Sequence, residues 1–154
     1  MDERVTVLAS TSKGLFLIDS DGARQEWTLS GPYCDGWPVN HATGDAATGT
    51  IWAAAGGEWQ GVAVWKSSDH GKSWSHAQLS NGKMDDFLAA DENFRKMLGR
   101  GPNPDAPFKG QMNAIWVLSK VGDTLYAGAR PAALYASKDE GATWERVEGL
   151  SNHP

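Results

Sequence analysis

Cys34 is the single cysteine among 154 residues, which excludes an internal disulfide and any cysteine-based zinc site. It reads as a small loop or core residue rather than a reactive thiol. Charge is sparse at 21% of residues, with a net value of −5. Phosphate contact needs a basic patch, and the longest basic run is Arg95-Lys96, so neither nucleic acid nor an anionic membrane is an expected partner. No apolar run reaches membrane-spanning length. Met1-Asp2-Glu3-Arg4 leads directly into strand-like Val5-Thr6-Val7-Leu8, with neither a basic leader nor an apolar core, so the expected compartment is the cytoplasm. There is no Gly-x-Ser-x-Gly elbow, phosphate-binding glycine loop or Cys–His pair. His41, His70, His76 and His153 lack metal-ligand spacing, and in Asp19-Ser20-Asp21-Gly22 the glycine falls at the wrong offset for a calcium loop. No metal and no cofactor are expected.

Glycine and tryptophan are present in quantity, with 18 and 8 residues. Two octapeptides match in type: Ser67-Ser68-Asp69-His70-Gly71-Lys72-Ser73-Trp74 and Ser137-Lys138-Asp139-Glu140-Gly141-Ala142-Thr143-Trp144. Both read Ser-x-Asp-x-Gly-x-(Ser/Thr)-Trp, and both follow an alternating apolar run. Such internal repetition fixes architecture before any single residue is interpreted. A short aspartate can bond backbone amides nearby, glycine supplies a positive φ, and tryptophan anchors the next strand. Each octapeptide is therefore expected to be a hairpin turn that locks two strands together.

The motif resembles the Asp-box, or BNR repeat, of sialidase-like β-propellers, and the resemblance covers most of residues 5–148. It implies an all-β partial propeller of four-stranded antiparallel blades, with the related WD40/YVTN-like repeats as a broader comparison. Ser67, Asp69, Gly71 and Trp74, like Ser137, Asp139, Gly141 and Trp144, would be structural clasps on the face away from a ligand. The segments Trp37–Asp45 and Trp52–Trp74 also resemble bacterial proteins described as glycosyl hydrolases or BNR-repeat proteins, a label that rests on fold.

Apolar alternation divides the chain into strand units. One incomplete propeller domain is expected over 1–154: a partial first blade at 5–30, a second at 39–80, an insertion at 81–112 and a third at 113–150. Ser20-Asp21-Gly22 is a degenerate box in the first unit. Within the insertion, 85–98 reads as one helix presenting Phe87, Ala90, Phe94, Met97 and Leu98 on one face. Closed propellers have four blades or more, so the expectation is an N-terminal fragment of a longer propeller. The alternative is two copies forming a six-bladed ring, against which the missing first strand counts. Open blade edges predict self-association, and Trp116, Tyr135 and Trp144 in the last blade are expected to be partly wet.

Blade geometry sends the second-to-third strand loops and the inter-blade connections to one face. That face receives Lys13, Tyr33, Asp35, Trp37, Asn40, His41, Glu58, Trp59, Asn113 and Arg130. Trp37, His41, Glu58, Trp59 and Arg130 are the ligand-binding candidates, suited to a small polar ligand such as a glycan. Each also has a plain reading: Trp37 as inter-blade packing and His41 as a hydrogen-bonded channel residue. Glycoside hydrolysis needs two carboxylates, or a tyrosine nucleophile paired with glutamate. Asp35, Asp45, Glu58 and Tyr33 are available, but Arg130 is the one obvious basic clamp, and no Arg-Ile-Pro segment occurs near the N-terminus. The catalytic constellation is incomplete. A non-enzymatic scaffold that binds protein partners is the competing function.

Overall fold

The computed structural model describes residues 3–154. Met1 and Asp2, which open the segment read as neither leader nor anchor, lie outside them. Three antiparallel sheets follow one another along the chain. The first has three strands, β1 (Val5–Thr11), β2 (Gly14–Ser20) and β3 (Trp27–Tyr33), in that order. The second has four: β4 (Val39–Asp45), β5 (Thr50–Gly57), β6 (Gly61–Ser67) and β7 (Ser75–Ser80). The third has β8 (Ala114–Val121), β9 (Thr124–Arg130), β10 (Ala133–Ser137) and the two-residue β11 (Glu145–Arg146). The fold is an all-β partial propeller with a short helical insertion. No helix among the described residues is long and apolar enough to cross a membrane.

Strand periodicity explains how the sheets stack. Side chains alternate across a strand, and β5 is buried on both faces because it lies in the middle sheet. Ile51, Ala53 and Ala55 pack with Leu15, Leu17 and Trp65 in a core shared with the first sheet. Trp52 and Ala54 pack with Val64, Leu79, Leu125, Ala127, Tyr135 and Trp144 in a core shared with the third. Tyr135 and Trp144 are thus buried, contrary to the expectation that they would be partly wet. They point back toward the second sheet. Trp116, on β8, is 53% exposed.

The two octapeptides adopt one geometry. Ser67 Oγ donates to Asp69 Oδ1 at 2.8 Å and accepts from the Gly71 amide at 2.8 Å. Asp69 in turn accepts from the Ser73 amide and hydroxyl, and Trp74 Nε1 donates to the Gly71 carbonyl at 3.0 Å. Ser137, Asp139, Gly141, Thr143 and Trp144 repeat these bonds. In the first sheet the Trp27 indole donates to the Arg24 carbonyl at 3.2 Å, in the same register counted from Ser20. There Arg24 takes the positive φ that glycine has in the other two turns.

The insertion is two helices, α1 (Lys83–Ala90) and α2 (Glu92–Leu98), rather than one. Asp91 divides them because its side chain caps the Asn93 and Phe94 amides, which fixes it in an extended conformation. The break changes the buried face. Leu88 is fully buried, whereas Phe87 and Met97 are mostly exposed.

Candidate functional site

The turn between β5 and β6 and the start of α1 are held together by backbone bonds, Lys83 N to Glu58 O at 2.8 Å and Met84 N to Trp59 O at 3.0 Å. This places Glu58 and Trp59 beside the insertion and beside the end of β9. The Glu58 carboxylate bonds Lys83 Nζ at 3.0 Å and Arg130 Nη2 at 3.2 Å. The Lys83 hydrogen bond and charge, with Arg130 behind them, hold its carboxyl below the ordinary carboxylate value. Arg130 also donates through Nε to Asn113 Oδ1 at 2.6 Å, and its guanidinium lies 5.7 Å from the centre of the Trp116 ring. Trp59 sits 5.6 Å from Phe87, which meets Phe94 edge-on. Trp59, Phe87 and Trp116 are each about half exposed. The result is an open patch of aromatic surface around two cations and one carboxylate.

Of the five sequence candidates, Glu58, Trp59 and Arg130 come together here. Trp37 does not join them. It packs edge-on against Trp65 at 5.9 Å and near His76, in the seam between the first and second sheets. His41 is engaged elsewhere as well: its Nδ1 accepts from the Leu118 amide at 3.1 Å, while Asn40 donates to the Ile115 carbonyl. These two bonds flank a register shift between Ile115 and Val117 in β8. A bulge leaves ladder groups unpaired, so β4 supplies the missing partners from across the seam. Tyr33 packs on Trp74. Asp45 binds the Ala47 amide and lies 3.5 Å from Lys120.

Lys83, Phe87 and Trp116 belong to the patch but are not among the ligand-binding candidates read from the sequence, where Phe87 stands on a helix face and Trp116 on an exposed blade side. Lys83 opens a helix whose start the hydrophobic period did not locate. Among the described residues no three histidine, cysteine, aspartate or glutamate side chains cluster to hold a metal ion. Cys34 is buried, and burial pushes its thiol up to about 12, with Asp35 adding to the effect.

A second polar cluster lies on the opposite face, where the repeated turn of the second sheet meets the first sheet. A cavity of about 320 Å³ there is lined by residues including Arg4, Thr6, Leu8, Ile51 and His70. His70 Nε2 lies 3.1 Å from both Asp19 Oδ1 and Thr6 Oγ1, and Arg4 pairs with Asp19 at 2.9 Å. Burial alone would raise the Asp19 carboxyl, but bonds from Arg4, Thr6 and His70 outweigh it and hold the group at about 2. Arg4, Thr6, Asp19 and His70 are each bonded to another member of the cluster across the junction of the two sheets, so it works as a seam fastening.

No family model and no curated protein matches the sequence. Among solved structures, the chain is similar to one described as YCF48 bound to D1 peptide, at 13% identity and a TM-score of 0.52. The match covers 95% of this chain and 42% of that one, so this chain spans less than half the length of its structural neighbour. At this identity the likeness concerns the fold alone. With the three stacked antiparallel sheets, it establishes a β-propeller-like architecture.

Proposed function

We propose that this chain is part of a propeller scaffold that binds an extended segment of a protein partner on the face bearing Glu58, Trp59 and Arg130. One observation carries the reading: half-exposed Trp59, Phe87 and Trp116 surround a charged group on an open surface rather than in a deep pocket. Aromatic and arginine side chains dominate the energetics of protein interfaces, whereas small ligands favour enclosed, mostly apolar cavities. Two cations around one carboxylate suit a segment that carries an acidic residue. The neighbouring structure, described as binding a peptide, gives the reading general support. The shared turn geometry supports reading both octapeptides as Asp-boxes of the sialidase-like type, and the three sheets as blades within residues 5–30, 39–80 and 113–150.

The second reading, a small polar ligand such as a glycan, rests on Trp59, whose ring could stack on a sugar face. A panel of extended peptides and a panel of glycans, each titrated against the full chain, separates the two. The scaffold reading expects saturable peptide binding that weakens by about tenfold or more in Trp59→Ala and Arg130→Ala, the loss typical of a central interface residue. Glycan binding without peptide binding, or peptide binding indifferent to both substitutions, would overturn it.

A further inference from the structure

The two seams between sheets share a fastening that singles out one position in each sheet. The fourth residue of the octapeptide, His70 or Glu140, has a positive φ and reaches back to the preceding sheet. His70 meets Asp19 and Thr6 of the first sheet. Glu140 pairs with Lys66 of the second sheet, and its carbonyl accepts from Trp52 Nε1 at 2.8 Å. Asp19 and Lys66 each stand one residue before the serine that opens the turn, and they face Thr6 and Trp52 in the strand register. The equivalent residues of the third sheet are Ala136 and Tyr126, which face each other in the same way. The equivalent of His70 in the first-sheet turn is Ala23. The one fastening position left without a mate in front, and the one left without a mate behind, are therefore both uncharged.

The same register identifies the faces. Ala53 with Trp65, and Ala127 with Tyr135, are paired residues buried against the preceding sheet. Their counterparts in the first sheet are Val7 and Ile18, and Val7 is 45% exposed, as is Trp27, the counterpart of Trp74 and Trp144. On the opposite side, Leu17 and Val64 are buried by the following sheet, while Val117 on the free face of the third sheet is 46% exposed. Among the described residues, the first sheet thus has an uncovered back face and the third an uncovered front face, of the kinds that mate with each other at both internal seams.

We infer that the back of the first sheet docks on the front of the third sheet of a second copy of this chain, head to tail, continuing the stacking of the two internal seams. Its central pair is Ala23 against Ala136 and Tyr126, with no charge to be matched. A single buried charge on either side has no counterpart and opposes the contact. At both internal seams the first strand of the following sheet, β4 or β8, packs on the sheet before it. The first sheet has no such strand, so the proposed contact rests on β1–β3 and the turn bearing Ala23, set against β8–β10. An interface joining unlike patches closes as a ring when the rotation allows and otherwise grows as an open chain.

Sedimentation velocity of the full chain over a concentration series tests this. The expected result is a concentration-dependent dimer or longer species. Ala136→Asp should weaken association by about tenfold or more, and adding Ala23→Lys should restore it by installing the pairing found at the internal seams. The third-sheet position should tolerate aspartate, since its counterparts are Asp19 and Lys66; a melting curve checks that the variant is folded. Val7→Glu damages the other face independently. Mixing Val7→Glu with Ala136→Asp should recover a complex, because each variant keeps the face that the other has lost. A monomer at every concentration, association unchanged in Ala136→Asp, or failure of the mixture to associate would each overturn the inference.

Discussion

Removing one hydroxyl from either repeated turn should cost more stability than a single solvent-facing hydrogen bond would. Ser67 is 1% exposed, and its Oγ is the acceptor for the Gly71 amide at 2.8 Å. In Ser67→Ala that amide loses its partner in a place that water does not reach. An orphaned buried donor costs about 1–3 kcal/mol. The Ser67–Asp69 bond adds little, because the aspartate is exposed and can regain solvent. The expected loss is therefore about 1–3 kcal/mol in urea unfolding, or a melting point lower by roughly 2–4 °C per kcal/mol for a chain of this size. Ser137→Ala should match it, since Ser137 is equally buried and bonds Gly141 at 2.8 Å. The two sites share no hydrogen-bond partner, so the double variant should lose the sum to within about 0.5 kcal/mol. Ser68→Ala is the control: it lies in the same loop but exposed, and should stay within about 0.5 kcal/mol of the parent. If Ser67→Ala behaved like Ser68→Ala, the turn would not be a clasp.

Acid should unfold the protein through the same turns. Asp19, Asp69 and Asp139 are each lowered from 3.8 to about 2, the last two chiefly by bonds from Ser73 and Thr143. A carboxyl depressed in the folded state contributes its stability above the unfolded value and loses it as pH falls. Stability should therefore drop between about pH 4 and pH 2, and Asp69→Asn with Asp139→Asn should flatten that slope; an unchanged slope in circular dichroism would refute the assignment. Gly71→Ala should cost more than Gly141→Ala. Both have positive φ, but an added Cβ would meet Leu17 at 2.5 Å in the first case and Leu125 at 3.5 Å in the second. The shared backbone strain is about 1–3 kcal/mol, and equal losses in a denaturant titration would argue against the close packing of the first seam.

What the sequence displayed was whatever is encoded locally. The octapeptides carry their own hydrogen-bonding groups, so turn, strand pair and sheet could be read from a dozen consecutive residues. The break at Asp91 was written locally too, as an aspartate followed by Glu92, but apolar residues continue in helical period across it and masked the cap. The seams are different in kind. His41 with Leu118, Trp52 with Glu140 and His70 with Asp19 join residues far apart in the chain. A period of two separates the faces of a strand without saying which face meets the preceding sheet and which the following one. That missing direction is why the sequence leads one to expect Tyr135 and Trp144 partly wet when they belong to the core, and to group His41 and Trp37 with Glu58. Direction becomes readable only from the fastening residues. Once His70 and Glu140 are seen to reach backward, every strand position in all three sheets has an assigned front and back. The exposed Val7 and the uncharged Ala136 then become informative, because their counterparts at the internal seams are covered or charged.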